Sequence, residues 1–263
     1  CRGLGGGDRA RSAVLGPRDP QTRARLSGAS GIDSQRLTTL RASGKCARVC
    51  TRMTDVATFS VEVEKYAVET LRECAGGPDW ELRPERAALL VHDMQPYYLN
   101  VLHSSVRARV AAEASAVVAR ARSTGLPILA SGPRAAEAIE QRGLLGPMWG
   151  LGPSAEDVAV TESDFVPIAK RSYSAFYASD LEVELRRRGR DQLVIVGVFA
   201  SAGILATTFD AFARDIQCFV GIESVADYTA HQHRTALNLI ASLTGVVTSS
   251  ANLLHDLRCG PLD

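Results

Sequence analysis

Asp191-Gln192-Leu193-Val194-Ile195-Val196-Gly197-Val198-Phe199-Ala200-Ser201-Ala202-Gly203-Ile204 is a stretch of two halves. The first carries a continuous apolar run, Leu193 to Val196, and the second is a turn of small residues leading into the helical pattern of 202–214. An apolar run without polar alternation reads as a strand buried on both faces, as in parallel sheets covered by helices. The turn after such a strand opens at the carboxyl edge of the sheet, where α/β enzymes place reactive groups beside the first N–H groups of a helix. At that place the chain carries a glycine, Gly203, and no nucleophile.

The same alternation runs along the chain from Glu85 onward. Apolar runs predict strands over Ala87 to His92, Pro127 to Ser131, Phe165 to Ala169, Gln192 to Gly197, Ile216 to Val220 and Gly245 to Thr248. Helical patterns lie near 104–124, 179–188, 202–214 and 230–243. This order predicts a three-layer α/β/α domain with a mostly parallel, doubly wound sheet of about six strands. Gly125 and Gly189 stand just past helix ends as left-handed caps, and Arg186, Arg187 and Arg188 suit the negative end of a helix dipole. A short amphipathic helix near 61–74 and a lead-in over 79–86 precede the first strand. Residues 132–164 are rich in Gly and Pro and too long for an ordinary connection, so they are expected to cover a binding site.

Charge divides the chain. Residues 1–52 hold 11 Lys/Arg against 3 Asp/Glu, a net of +8, and the remainder holds 19 against 26, a net of −7. The first piece has no aromatic residue and no sustained apolar period, so it cannot bury enough surface to offset its ordering entropy and is expected to be a disordered basic arm. Without aromatic residues among its arginines it offers no stacking platform for nucleic acid. The chain begins at Cys1, and Met53 sits where the composition changes, which reads as upstream sequence foreign to the native protein. The arm lacks the apolar core of a signal peptide. Residues 53–263 suit one α/β domain. No segment approaches the roughly 18 apolar residues of a membrane span. Cys74, Cys218 and Cys259 lack metal-ligand spacing, so reduced thiols in a cytoplasmic protein are expected, with Cys218 a small core residue.

Three strand ends bring chemistry to one edge. The first strand runs into Val91-His92-Asp93-Met94-Gln95, the third into Ala169-Lys170-Arg171-Ser172-Tyr173, and the fourth into the turn with Gly203. Strand C-termini line the ligand crevice of a doubly wound sheet, so Asp93 and Lys170 are expected to converge on Gly203. An aspartate at a strand end also serves as a cap or turn residue. His92 reads as packed within the strand or orienting its neighbours, and Tyr97, Tyr98 and Trp149 as core or pocket wall. His231 and His233 open a helix without the i, i+4 spacing of a metal pair and are expected at the surface; no metal site is predicted.

Asp and Lys followed by Cys at these three strand ends is the pattern of the cysteine hydrolase superfamily. The stretches RAALLVHDMQPYYL (86–99), QRGLLGPMWGLGP (141–153), AKRSYSAFYASDLEVELRRRGRDQLVIVGV (169–198) and TTFDAFARDIQCFV (207–220) resemble its isochorismatase family, most of all the phenazine-type 2-amino-2-deoxyisochorismate hydrolases. The resemblance spans most of residues 84–250. Members with vinyl-ether substrates carry glycine in place of the catalytic cysteine, as this chain does at Gly203. Amide hydrolysis through a thioester needs a thiolate. A vinyl ether has no acyl carbon to capture and is activated by protonation of the terminal carbon of its enolpyruvyl group.

The resemblance therefore implies a hydrolase without metal or organic cofactor that releases pyruvate from 2-amino-2-deoxyisochorismate or isochorismate. Asp93 would be the acid, Lys170 would bind a substrate carboxylate or hold Asp93, and Gly203 would leave space for substrate. An aspartic acid at the reference pKa of about 3.9 is protonated in roughly one molecule per thousand at pH 7, so an anionic substrate beside Lys170 is expected to favour the acid. Arg142 matches a family arginine that clamps a carboxylate, and Gln95, Tyr98, Trp149 and Phe199 are further substrate-binding candidates. Two positions depart from the family: Gly132-Pro133-Arg134 stands where it reads Ala-Gln-Pro, and Phe199 where it has a tyrosine. Pro133 and Phe199 suggest the alternative of a silent homologue acting as a binding or scaffold subunit. A nicotinamidase-like amidase is disfavoured by Gly203. The family implies a homodimer, and the chain's end about 15 residues after Thr248 leaves no carrier domain expected.

Overall fold

Alternate side chains of a strand point to opposite faces, and in the two central strands both sets are apolar. In Ala87–His92 (β1), Leu89 and Val91 oppose Leu90; in Gln192–Val198 (β4), Val194 and Val196 oppose Leu193 and Ile195. Every residue of both strands is buried. The computed structural model describes residues 62–155 and 162–258. It adds the strands Ile128–Pro133 (β2), Val166–Lys170 (β3), Gln217–Ala226 (β5) and Gly245–Thr248 (β6). All six form one parallel sheet in the order β3-β2-β1-β4-β5-β6.

Helices cover both faces. Leu89, Val91, Val194 and Val196 pack against Ala114, Val117 and Ala121 of the helix Ser104–Ser123 and Leu253 of the helix Ser250–Asp256. On the other face, Leu90, Leu193 and Ile195 meet Ala211 of the helix Leu205–Phe212 and Ala236, Leu237 and Ile240 of the helix Ala230–Leu243. The three-layer α/β/α, doubly wound architecture is the one the apolar pattern predicts. Its strand order reverses between β1 and β4, which opens a crevice beyond their carboxyl ends.

Several boundaries differ from the sequence reading. The β5 strand continues past Val220 to Ala226, because a register shift between Ile195 and Gly197 realigns it with β4. The segment predicted as helical from 61 is the 3-10 helix Val68–Cys74, and the C-terminal helix Ser250–Asp256 was not anticipated. His233 was expected at the surface but is fully buried. It stands at the head of the apolar stripe His233, Ala236, Leu237, Ile240, whose i, i+3, i+4, i+7 spacing turns it to the core. Burial pushes its imidazole down to about 3. Cys218 is a core residue, as expected. The basic arm, Met53 and Cys259 lie outside the described residues. No described helix is long and apolar enough to cross a membrane.

Candidate active site

The crevice receives Asp93 directly from the end of β1. Asp93 adopts a left-handed backbone (φ 52°), a region that aspartate tolerates better than most residues and that clusters at functional sites. Its carboxylate Oδ2 lies 2.6 Å from Lys170 Nζ at the end of β3, and both side chains are buried. The Lys170 ammonium also donates to the carbonyls of Ser172 (3.1 Å) and Tyr173 (3.0 Å). An ammonium has three donors, so all three are engaged within the protein. Of the two roles foreseen for Lys170, holding Asp93 is the one this geometry supports. A pair this deeply buried is costly to break from one side, about 3–5 kcal/mol, because the remaining charge loses its partner.

Beyond β4 the chain passes a cis Val198–Phe199 peptide bond and winds into one π-helical turn, Ala200–Ile204, a form that recurs at functional sites. Asp227, beyond the end of β5, accepts from the Ser201 amide at 2.5 Å and fixes the start of this turn. Burial of the Asp227 carboxyl outweighs these hydrogen bonds and raises it above the usual carboxylate range. Gly203 is buried within the turn. A Cβ at Gly203 would fall 2.3 Å from His92 Cε1 and 3.0 Å from His92 Nε2. The space that a Cβ at Gly203 would take is thus filled by the His92 imidazole, while the glycine itself lines the cavity.

His92 is itself locked. Its Nδ1 donates to the Val198 carbonyl at 2.9 Å, its Nε2 lies 3.3 Å from Thr207 Oγ1, and none of it is exposed. Burial, only partly offset by the Asp93 carboxylate, pushes it down to about 4, so the ring is neutral at pH 7. Although Nδ1 stands 3.6 Å from Asp93 Oδ2, no cationic imidazole competes with Lys170 for the carboxylate.

Asp93, Lys170 and Gly203 share the wall of a cavity of about 480 Å³, within the range of small-molecule sites. Arg142, Trp149, Phe199 and Tyr98 line it too, as do Tyr97 and Pro133. The long 132–164 connection supplies Arg142 from a 3-10 turn, Ile139–Arg142, and Trp149 from a short helix, Leu145–Trp149, so the described part of the connection covers the site as expected. Gly152 (φ 75°) makes room for the Arg142 guanidinium, which would lie 2.7 Å from a Cβ there; its Nη1 donates to the Gly150 carbonyl at 2.6 Å. Gln95 is the exception among the candidates. It does not line the cavity; its amide is buried and donates to the Ser131 carbonyl at 3.1 Å, tying the loop after β1 to β2.

Tyr173 and Tyr228 line the cavity without having been assigned a role from sequence. Tyr173 Oη accepts from Trp149 Nε1 at 2.7 Å. Tyr228 follows the end of β5, which the apolar run alone placed six residues too early. Among the described residues no group of three His, Cys, Asp or Glu side chains is placed to hold a metal ion.

A parallel doubly wound sheet with a buried carboxylate–ammonium pair at its switch point, and a glycine at position 203 of the β4 turn, defines an α/β protein with a small-molecule site at its carboxyl edge. Residues 87–252 match the isochorismatase domain, and the chain belongs to that family of hydrolases. The phenazine biosynthesis protein PhzD1 of Pseudomonas aeruginosa is 38% identical over 203 residues, covering 74% of this chain and 98% of that protein. The enterobactin synthase component B of Escherichia coli is 34% identical over 185 residues, 67% of this chain and 65% of the relative. Among solved structures, a cysteine hydrolase from Pseudomonas syringae pv. phaseolicola superposes with a TM-score of 0.58 at 22% identity, over 68% of this chain and 95% of the other. That likeness concerns the fold.

Proposed function

We propose that the chain hydrolyses the enolpyruvyl vinyl ether of 2-amino-2-deoxyisochorismate or isochorismate. The products are pyruvate and a dihydro-3-hydroxyanthranilate or dihydro-dihydroxybenzoate. The observation that carries this reading is the Asp93–Lys170 pair on the cavity wall, opposite a turn in which a glycine and a buried imidazole occupy the place of a nucleophile. Such a site offers Asp93 to carry a proton and has no cysteine at the β4 turn to acylate. The similarity to phenazine and enterobactin proteins supports the same substrate class.

In this mechanism Asp93, protonated in the substrate complex, gives its proton to the terminal methylene carbon. The vinyl π bond is lost, and the former alkene carbon becomes an oxocarbenium ion. Water adds to that carbon and returns a proton to Asp93. The hemiketal then breaks its bond to the ring oxygen, giving pyruvate and the ring alcohol. Lys170 holds the carboxyl in place throughout, and Arg142 takes a substrate carboxylate.

The test is pyruvate release from each of the two substrates, followed with a coupled dehydrogenase, for the wild type and Asp93→Asn. Asparagine tolerates the left-handed backbone at this position, so the variant keeps the site's shape and removes only the acid. The wild type is expected to turn over at least one substrate, with Asp93→Asn below about one per cent of its rate, as removal of a general acid costs about 10²–10⁴-fold. Folded protein that releases no pyruvate from either substrate would instead support the silent homologue.

A further inference from the structure

The cavity must hold an anion, yet few of its donors are free to do so. Lys170 is saturated by Asp93 and two carbonyls. Trp149 Nε1 is spent on Tyr173, whose hydroxyl accepts that bond and keeps its own proton, and Tyr97 Oη points to the Trp149 carbonyl at 3.5 Å. Arg142 keeps part of its guanidinium for one carboxylate. A ring that carries a carboxylate besides that of its enolpyruvyl arm needs a second donor.

Phe199 cannot supply it, but the ring stacked on it can. Val198 pairs with Ala226 across β4 and β5, which brings the residues just beyond these strand ends together. The Phe199 and Tyr228 rings lie 4.1 Å apart with their planes within 13°. Both line the cavity, on the wall that contains Gly203. Tyr228 is fixed at each end of its peptide unit: its amide donates to Asp227 Oδ1 at 2.8 Å, and its carbonyl accepts from the Glu64 amide at 2.9 Å. Asp227 is the same side chain that anchors the π-turn through Ser201. The Tyr228 hydroxyl makes no hydrogen bond to any described residue, and burial keeps the phenol protonated, hence a donor.

We propose that Tyr228 recognises the ring carboxylate of the substrate, so that the phenol absent from position 199 is carried by the neighbouring strand end. The proposal rests on the vinyl-ether reading for its substrate, but its geometry concerns any ring carboxylate. Tyr98, the other tyrosine packed on Phe199 (centroids 6.0 Å apart, edge-on), and Tyr173, which keeps its hydroxyl proton, are the competitors.

Five proteins decide it: wild type, Tyr228→Phe, Tyr98→Phe, Tyr173→Phe and the exchange variant Phe199→Tyr/Tyr228→Phe. Two readouts are taken, steady-state pyruvate release and calorimetric titration with benzoate, a ring carboxylate without an enolpyruvyl arm. Loss of one hydrogen bond to a charged group predicts that Tyr228→Phe raises KM and the benzoate Kd by about tenfold or more, with kcat within about threefold. The exchange variant is expected to recover most of the loss. An unchanged benzoate Kd in Tyr228→Phe, a wild type that does not bind benzoate, or a loss confined to Tyr98→Phe or Tyr173→Phe overturns the proposal. If no pyruvate is released by the wild type, the vinyl-ether reading fails while the benzoate titration still judges Tyr228.

Discussion

Replacing Gly203 by alanine sets two effects of opposite sign against each other. Gly203 lies in helical backbone outside the positive-φ region. There an alanine is ordinarily favourable by about 0.5–1 kcal/mol, since it restricts the unfolded chain. Against this stands the contact with His92. Carbon atoms in van der Waals contact lie about 3.5–4.0 Å apart, whereas the new Cβ would meet His92 Cε1 at 2.3 Å. The imidazole cannot withdraw without giving up its hydrogen bond to Val198 O and displacing the backbone that carries Asp93. Overpacking of this kind costs about 1–3 kcal/mol, and with a Cβ at 2.3 Å the upper part of that range applies, so the clash wins by about 1–2.5 kcal/mol. For a domain of this size each kcal/mol lowers Tm by about 2–4 °C, and a fall of roughly 2–10 °C is expected. A shift of the acid by even 1 Å lowers turnover by about 100-fold. Thermal unfolding by circular dichroism and coupled pyruvate release measure the two effects. The decisive comparison is in a His92→Ala background, where the clash is gone and Gly203→Ala should become neutral or stabilising. Additive effects of the two substitutions, or a single Gly203→Ala as stable as the wild type, would refute the reasoning.

Further outcomes follow from the buried charges. Lys170→Met should destabilise the fold more at pH 8 than at pH 5 in denaturant titrations, because a buried carboxylate without its cation escapes the penalty by binding a proton. His92 and His233 are held neutral by burial, pushed down to about 4 and about 3 from the usual 6.5. Between pH 6.5 and those values the unfolded chain binds protons that the folded chain does not. Stability is therefore complete above about pH 6.5 and falls below it, by up to about 1.4 kcal/mol per pH unit for each histidine. His233→Gln is expected to reduce that slope by roughly half between pH 5 and 6, as read from denaturation midpoints across the pH range.

The sheet was legible because its signal is local. Continuous apolar strands followed by helical patterns fix a covered parallel sheet, and residues at the strand ends then fall at one edge without further information. Asp93, Lys170 and Gly203 are placed together at that edge in this way, and all three line one cavity. Tyr228 was not, because β5 keeps its pairing through a register shift and ends six residues beyond its apolar core, a consequence of alignment with β4. Gln95 was misplaced for a related reason. It adjoins Asp93 in sequence, but its carboxamide is turned to the Ser131 carbonyl of β2, and one-dimensional proximity does not say which way a side chain leaves a turn.

The glycine shows most clearly where a sequence stops informing. An absent nucleophile can be read from one position, whereas the atoms that fill its place come from a residue 111 positions earlier in the chain, His92. The two positions are complementary in volume: a thiol at 203 and an imidazole at 92 cannot occupy this backbone together. The same ring is tied to the Val198 carbonyl and borders the Asp93 carboxylate, so it links the turn after β4 to the acid after β1. The residue at 203 and the position of the Asp93 carboxylate are then coupled through one ring. A side chain added at 203 must displace the His92 ring, and with it the hydrogen bond to Val198 and the border of the Asp93 carboxylate, so the two positions are expected to respond to substitution as a pair.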